Sequence, residues 1–275
     1  MSYKVLLAPM AGAPSDLRTL AAAAAVVRRF GGHVEALHAA GDPRDSIPFV
    51  GEGASGALVE QIVTAAEKDL KRRAETARAN YAEWMKGANV DATLVEPTGS
   101  EEDAIARHGR FADLIVLPRP ADDEAIASTV AFETALLETG RPVLIAPPSG
   151  DMDFNRPVAF AWNGSREAAR ALHMGLPFMK GAPRVVCVVA GKNVAEDDTK
   201  PLEAYMSRHG IKIDLVRADV PTIQAGPQVL AEARRAGCGL LVMGAYTHSR
   251  LRQLVFGGVT RYMLQNADLP VLMAH

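Results

Sequence analysis

At 275 residues, 48% of them hydrophobic and 23% charged, the chain has the make-up of a soluble globular protein with one large or two ordinary domains. A formal net charge of -2 with no isolated basic block gives no electrostatic case for nucleic acid or an anionic membrane, and no run approaches the ~20 apolar residues of a membrane span. No charged and then apolar leader opens the sequence, so a cytoplasmic, reducing location is the expectation.

The elements follow in order. Tyr3 to Pro9 is a buried-strand pattern, and Pro14 to Phe30 a helix with an alanine-rich inner face and Pro14 in its first turn. His33 to Ala39 alternates like a second strand, and the glycine- and proline-containing segment 41–55 is a surface loop. A long helix comes next, because Leu58, Ile62, Ala66, Leu70, Ala74, Ala77, Tyr81 and Trp84 recur at spacings of three and four. Val90 to Glu96 is strand-like, Ser100 with Asp103 forms a capping box, and Asp113 to Leu117 is a short apolar strand. A helix from Ile126 to Thr139 and a strand from Pro142 to Ala146 complete this half.

After the turn-rich break at 147–151 the same order starts again. Strands are expected at Pro157 to Trp162, Arg184 to Ala190, Ile211 to Arg217, Gly239 to Met243 and Pro270 to Ala274. Helices are expected at Ser165 to Met179, Thr199 to His209, from Pro227 to Ala236, and around Val259 to Gln265. The run Asp113-Leu-Ile-Val-Leu117 matches Gly239-Leu-Leu-Val-Met243, and Pro142-Val-Leu-Ile-Ala146 matches Pro270-Val-Leu-Met-Ala274, at nearly equal offsets. Two copies of one unit, 1–148 and 149–275, therefore fit better than a single ten-stranded sheet. Alternating strands and helices with apolar strands make this an α/β fold: two tandem open parallel five-stranded sheets covered by helices. The terminal strand of each half is an apolar edge that needs a partner.

The stretch Met243 to Tyr262 is the candidate binding site. It leaves a buried strand, carries Gly244, Gly257 and Gly258, and enters a helix near Val259, a layout in which backbone N–H groups and a helix N-terminus meet an anion. His248, Ser249, Arg250 and Arg252 add donors or positive charge, and Thr260 adds a hydroxyl. Trp162 and Tyr246 are aromatics placed to stack on a base or to fill the core. No histidine shows metal-ligand spacing, and Cys187 and Cys238, in or beside apolar strand patterns, are expected to be small buried hydrophobes. Asp122, Asp123 and Glu124 form a solvated helix start.

Taken together, Asn163-Gly164-Ser165-Arg166-Glu167-Ala168-Ala169 after a first strand, Leu240 to Met243 before the glycine stretch, and the ending Leu269-Pro-Val-Leu-Met273 resemble the universal stress protein family. The second half carries the resemblance over nearly its whole length; the first half keeps the element order and the Arg141-Pro-Val-Leu-Ile145 ending but has worn motifs. The resemblance implies strand order 3-2-1-4-5 in each half. It also implies an adenine nucleotide, ATP or a relative, at Asn163, Gly164, Gly244, Thr247, His248, Arg250, Gly257, Gly258, Val259 and Thr260. Two positions depart from the family pattern: Thr247 stands where a second glycine is usual, and Asn163 where an acidic residue is usual. In the first half Ala11 stands at the Asn163 position and Pro118 at the Gly244 position, and Arg119 to Thr129 contains no glycine, so no phosphate cradle is expected there.

The resemblance further implies pairing of the terminal strands, here within one chain, with a homodimer as a further assembly. The expected role is a stress-response regulatory or protective binding protein without a catalytic apparatus. The alternatives are a nucleotide-independent interaction module and a slow nucleotide hydrolase, the latter without an identifiable general base or magnesium carboxylate set.

Overall fold

The computed structural model describes residues 2–43, 56–119, 125–150, 152–190, 199–218, 220–221, 224–246 and 258–275, with the backbone alone for 125–129. In the first half, strands β1 (Val5–Pro9), β2 (His33–Leu37), β3 (Asp91–Val95), β4 (Leu114–Pro118) and β5 (Val143–Ala146) alternate with helices α1 (Asp16–Phe30), α2 (Gly56–Ala88), α3 (Glu101–Gly109) and α4 (Ala125–Glu138). In the second, β6 (Val158–Trp162), β7 (Val185–Ala190), β8 (Ile213–Ala218), β9 (Leu240–Gly244) and β10 (Val271–Ala274) alternate with α5 (Arg166–Met179), α6 (Lys200–Arg208), α7 (Ala225–Arg235) and α8 (Gly258–Asn266).

Each half has the expected parallel order, 3-2-1-4-5. The halves do not stay apart, however. β5 and β10 pair antiparallel, Leu144 opposite Leu272, and fuse the two into one ten-stranded sheet. The expectation against a ten-stranded sheet is corrected by this seam, whose cause is physical: two apolar edge strands satisfy each other's backbone groups and remove two exposed edges.

Alternation along the strands sends side chains to two cores, each of which runs across both halves. One lies under α1, α2, α5 and α6, the other under α3, α4, α7 and α8. On the first face an aromatic cluster of Tyr3, Phe30, Phe154 and Phe178 bridges the halves, with ring centroids 5.0 to 5.4 Å apart. Arg18 Nε donates to Pro147 O at 3.1 Å and Arg29 Nη2 to Phe178 O at 3.1 Å, so α1 is tied to the break segment and to α5.

Side-chain caps form at two helix starts. Ser100 caps α3, its side chain accepting from Asp103 N at 3.2 Å, and Ser165 caps α5 in the same way. The helix expected from Pro227 begins two residues earlier, with Pro227 in its first turn, where the missing N–H costs nothing. The periodic α2 is 33 residues long, roughly 50 Å at the usual rise. Cys187 and Cys238 are buried and unpaired in any disulfide. Burial pushes their thiols up to about 12 and about 11, so neither is a thiolate nucleophile at neutral pH.

Candidate functional site

The winding of the second half reverses between β6 and β9, which are hydrogen-bonded neighbours from Val158 opposite Leu240 to Ala161 opposite Met243. Ligands of open α/β sheets lie at the carboxyl ends of strands at such a reversal. Asn163 follows β6 and Gly244 ends β9, so the two segments singled out in the sequence face one crevice.

On the β6 side the chain is organised by its own hydrogen bonds. Asn163 Oδ1 accepts from Ser165 N at 3.2 Å, and Gly164 takes a φ of 74°, a region open to glycine, to make the turn. Ser165 Oγ then accepts from Ala168 N at 3.1 Å. Asn163 is exposed, and its Nδ2 group, a donor of two hydrogen bonds, has no partner among the described residues. The indole of Trp162 packs on Phe160, centroids 5.7 Å apart, and against the core; its buried N–H has no partner among the described residues.

Gly244 has a different reason for being glycine than the phosphate cradle suggested. A Cβ there would stand 2.5 Å from Ala168 N and 2.6 Å from the Glu167 carbonyl carbon, because the first turn of α5 is seated on the end of β9. The same turn brings in a residue that the sequence reading did not single out: Glu167, only 2% exposed, with its Cβ 3.0 Å from that position. Burial alone would push its carboxyl up. Hydrogen bonds from Arg166, its own backbone amide and Ser165 outweigh burial and hold it below the ordinary glutamate range. Arg166 Nε lies 2.6 Å from Glu167 Oε1. The crevice thus contains a buried anion at its α5 end, where the amides of Ser165, Glu167 and Ala168 are already engaged. A signal was present in the sequence: Glu167 falls on the stripe of Ala171 and Gly175, the face that α5 buries.

The β9 side opens on α8. Gly258 is exposed with open space where a Cβ would be, Val259 is partly buried, and Thr260 is 3% exposed, so its hydroxyl faces protein. Thr247, His248, Arg250 and Gly257, with Ser249 and Arg252, lie outside the described residues, as do Asp122, Asp123 and Glu124. Tyr246 turns away from the crevice. At a φ of 58° it sends its ring toward Phe132 of α4 and His275, at centroid distances of 6.2 and 6.3 Å, and its hydroxyl donates to Glu133 Oε1 at 3.5 Å. Burial and the Glu133 carboxylate raise its phenol above the ordinary range.

The matching place in the first half is covered. α2 crosses the loop after β1 so closely that a Cβ on Gly12, whose φ is 71°, would overlap the Arg73 carbonyl. Asn80 Nδ2 donates to Ala13 O at 2.9 Å and to Asp16 Oδ2 at 3.2 Å, while Asp16 also accepts from the amides of Ala11 and Ala13. His38 accompanies them, its Nδ1 donating to Met10 O at 2.8 Å. Burial pushes the Glu101 carboxyl up to about 7, helped by Glu102 and Asp16 and opposed by Arg73.

Comparisons with known proteins agree with this geometry. Residues 155–275 match the model of the Universal stress protein family, and the first half is not matched by it. A universal stress protein of Synechocystis sp. is 23% identical over 235 residues, covering 81% of this chain and 80% of its own. A universal stress protein structure from Archaeoglobus fulgidus superposes with a TM-score of 0.69 at 16% identity, over 99% of this chain and 96% of that one. A functionally unknown protein of Pseudomonas aeruginosa does so at 0.60 and 11%, over 99% and 92%. These likenesses establish the fold over both halves. Residues 155–275 thus match the universal stress protein family's model, and they are joined to a first half of the same strand order that the model does not match.

Proposed function

We propose that the second half binds an adenine nucleotide, or a smaller phosphate-bearing relative, in the crevice between β6 and β9. In this reading the chain is a cytoplasmic stress-response regulator or protectant, a binding protein and not an enzyme. The observation that carries it is the meeting of Asn163 and Gly244 at the end of neighbouring strands, beside a helix α8 that starts at an exposed glycine. The phosphates would lie toward Gly258 and the α8 N-terminus, because the α5 end is lined by the Glu167 carboxylate and its amides are engaged. Asn163 Nδ2 would donate to the sugar or base. Thr247, His248, Arg250 and Gly257 belong to the same proposal by their place in the sequence between β9 and α8. Binding to the folded state would stabilise it and shift its conformational population.

Calorimetry with adenosine, AMP, ADP and ATP, each with and without magnesium, tests this on protein freed of carried-over ligand. Saturable binding by the wild type that Gly258→Val weakens at least about ten-fold supports the reading. No binding of any of the four contradicts it. A second reading, a nucleotide-independent interaction module, draws support from Gly244, whose packing against α5 explains the glycine without any ligand.

A further inference from the structure

Besides the β5–β10 seam, the halves hold each other through the residues that follow β4 and β9. Both strands are continued by one backbone rung: Arg119 N donates to Ala146 O at 2.8 Å and Ala245 N to Ala274 O at 2.9 Å, so Arg119 and Ala245 occupy corresponding places. Where the second half has a small residue, the first half has an arginine that reaches across. Arg119 Nη1 donates to Gln265 O in the last turn of α8, the carbonyl end of that helix, where a cation is favoured. In the other direction Tyr246, next after Ala245, places its ring 6.2 Å from that of Phe132 on α4 and its hydroxyl on Glu133. Both contacts bear on the pieces from which the second-half crevice is built, the exit of β9 and α8, and in both the opposing residues belong to the first half.

Neither contact follows from local structure. Tyr246 holds a left-handed backbone at a φ of 58°, and Asn89 is the only other non-glycine residue with positive φ among the described residues. Asparagine tolerates that region, whereas a residue as bulky as tyrosine is an outlier there. Such a conformation persists only where the surroundings impose it, and here the buried Phe132 and the Glu133 carboxylate do so. Arg119 carries a different cost: its Nε is buried and has no hydrogen-bond partner among the described residues. A residue serving only the first half's sheet would avoid that cost by being small, as Ala245 is.

We infer that the first half is the positioning wall of the second-half crevice, with Arg119 and Tyr246 as positioning residues that fix α8 and the exit of β9 relative to each other. Holding both in place before a ligand arrives lowers the ordering cost of binding. This role rests on the nucleotide reading of the crevice, which supplies the ligand. The first half, whose own matching place is covered by α2, thereby contributes to binding without touching what is bound.

Two measurements on the full chain test this role separately from the nucleotide reading. Hydrogen exchange without ligand reads the positioning: Arg119→Ala should speed amide exchange in α8, and Tyr246→Asn that of the Ala245 amide, each at least about five-fold. Asparagine is chosen because it keeps the left-handed backbone while removing ring and hydroxyl. Calorimetry with AMP and ATP reads the consequence, and each variant should bind at least about five-fold more weakly than the wild type. Arg29→Ala is the control. It removes a tie between the halves on the opposite face, Arg29 Nη2 to Phe178 O, and should leave exchange at both places and affinity within about two-fold of wild type. Circular dichroism checks the fold of all three. Unchanged exchange overturns the positioning role even where nucleotide binds, as does faster exchange with unchanged affinity. Equal loosening by Arg29→Ala overturns it too, because the contacts would then be general support between the halves. A wild type that binds neither nucleotide, while its variants loosen α8 and the β9 exit, overturns the nucleotide reading instead, and the role in binding falls with it.

Discussion

The ends of β1 and β6 occupy the same place in the same winding, yet they are finished in opposite ways. After β1, α2 is drawn down until the Arg73 backbone touches Gly12, and Asn80 and Asp16 stitch helix, loop and α1 together. After β6, the loop is held, among the described residues, by its own turn and by the α5 cap, and Asn163 is exposed. The comparison shows how one architecture makes either a structural plug or an accessible crevice: the difference lies in which helix sits on the strand ends. In the second half that helix is α5 itself, whose first turn rests on Gly244; in the first, Pro118 stands at the Gly244 position.

Substitutions that break these contacts should rank by how rigid the opposing atoms are. Gly12→Ala adds a Cβ at positive φ against backbone, and we expect a loss of ~3 to 4 kcal/mol in urea unfolding, with faster amide exchange in α2. Gly244→Ala meets the α5 backbone without the φ penalty, and a loss of ~2 to 3 kcal/mol is expected by the same assay. Asn80→Ala removes donors to Ala13 O and the buried Asp16 carboxylate, for about 1 to 2 kcal/mol, and should loosen α2 alone.

The next effect is smaller and depends on pH. Glu101 has a folded-state pKa raised from 4.5 to about 7, so the native state holds its proton more tightly than the unfolded chain does. Its contribution to stability is fully present below 4.5 and is lost as pH rises through about 7. Glu101→Gln should therefore match the wild type near the lower value and exceed it above the higher one. The gain is on the order of 1 kcal/mol, the shift being discounted for partial exposure to solvent. Denaturant titrations on either side of that window check it; a variant less stable at high pH would contradict the assignment.

Strand identity was legible because apolar runs of four to six residues, spaced by helical periods, leave few alternatives in an α/β chain, whereas their order was what the family resemblance implied. The seam was less so: hydropathy says that Val143–Ala146 and Val271–Ala274 need partners, but not that their pairing completes a single sheet. Asn163 and Gly244 were legible as the ends of neighbouring strands, whereas Glu167 entered the sequence reading only as part of the run 163–169, and its burial on the stripe of Ala171 and Gly175 went unread. The closure of the first half depends on contacts such as Asn80 with Ala13 and Asp16, far apart in sequence, which no local pattern reports. Tyr246 was read as base-stacking or core, and its approach to α4 of the other half is likewise a long-range event.

The central claim is the asymmetry: one crevice per chain accessible to a ligand, in the second half. Its most direct test is the binding stoichiometry of an adenine nucleotide, measured by calorimetry on wild type, Gly258→Val and Asn80→Ala. Gly258 meets nothing within 4 Å, so its variant should keep its stability to within ~0.5 kcal/mol. The account predicts one nucleotide per chain, lost in Gly258→Val and retained in Asn80→Ala. Two nucleotides per chain, or one that survives Gly258→Val and disappears with Asn80→Ala, would place the ligand in the first half and contradict it.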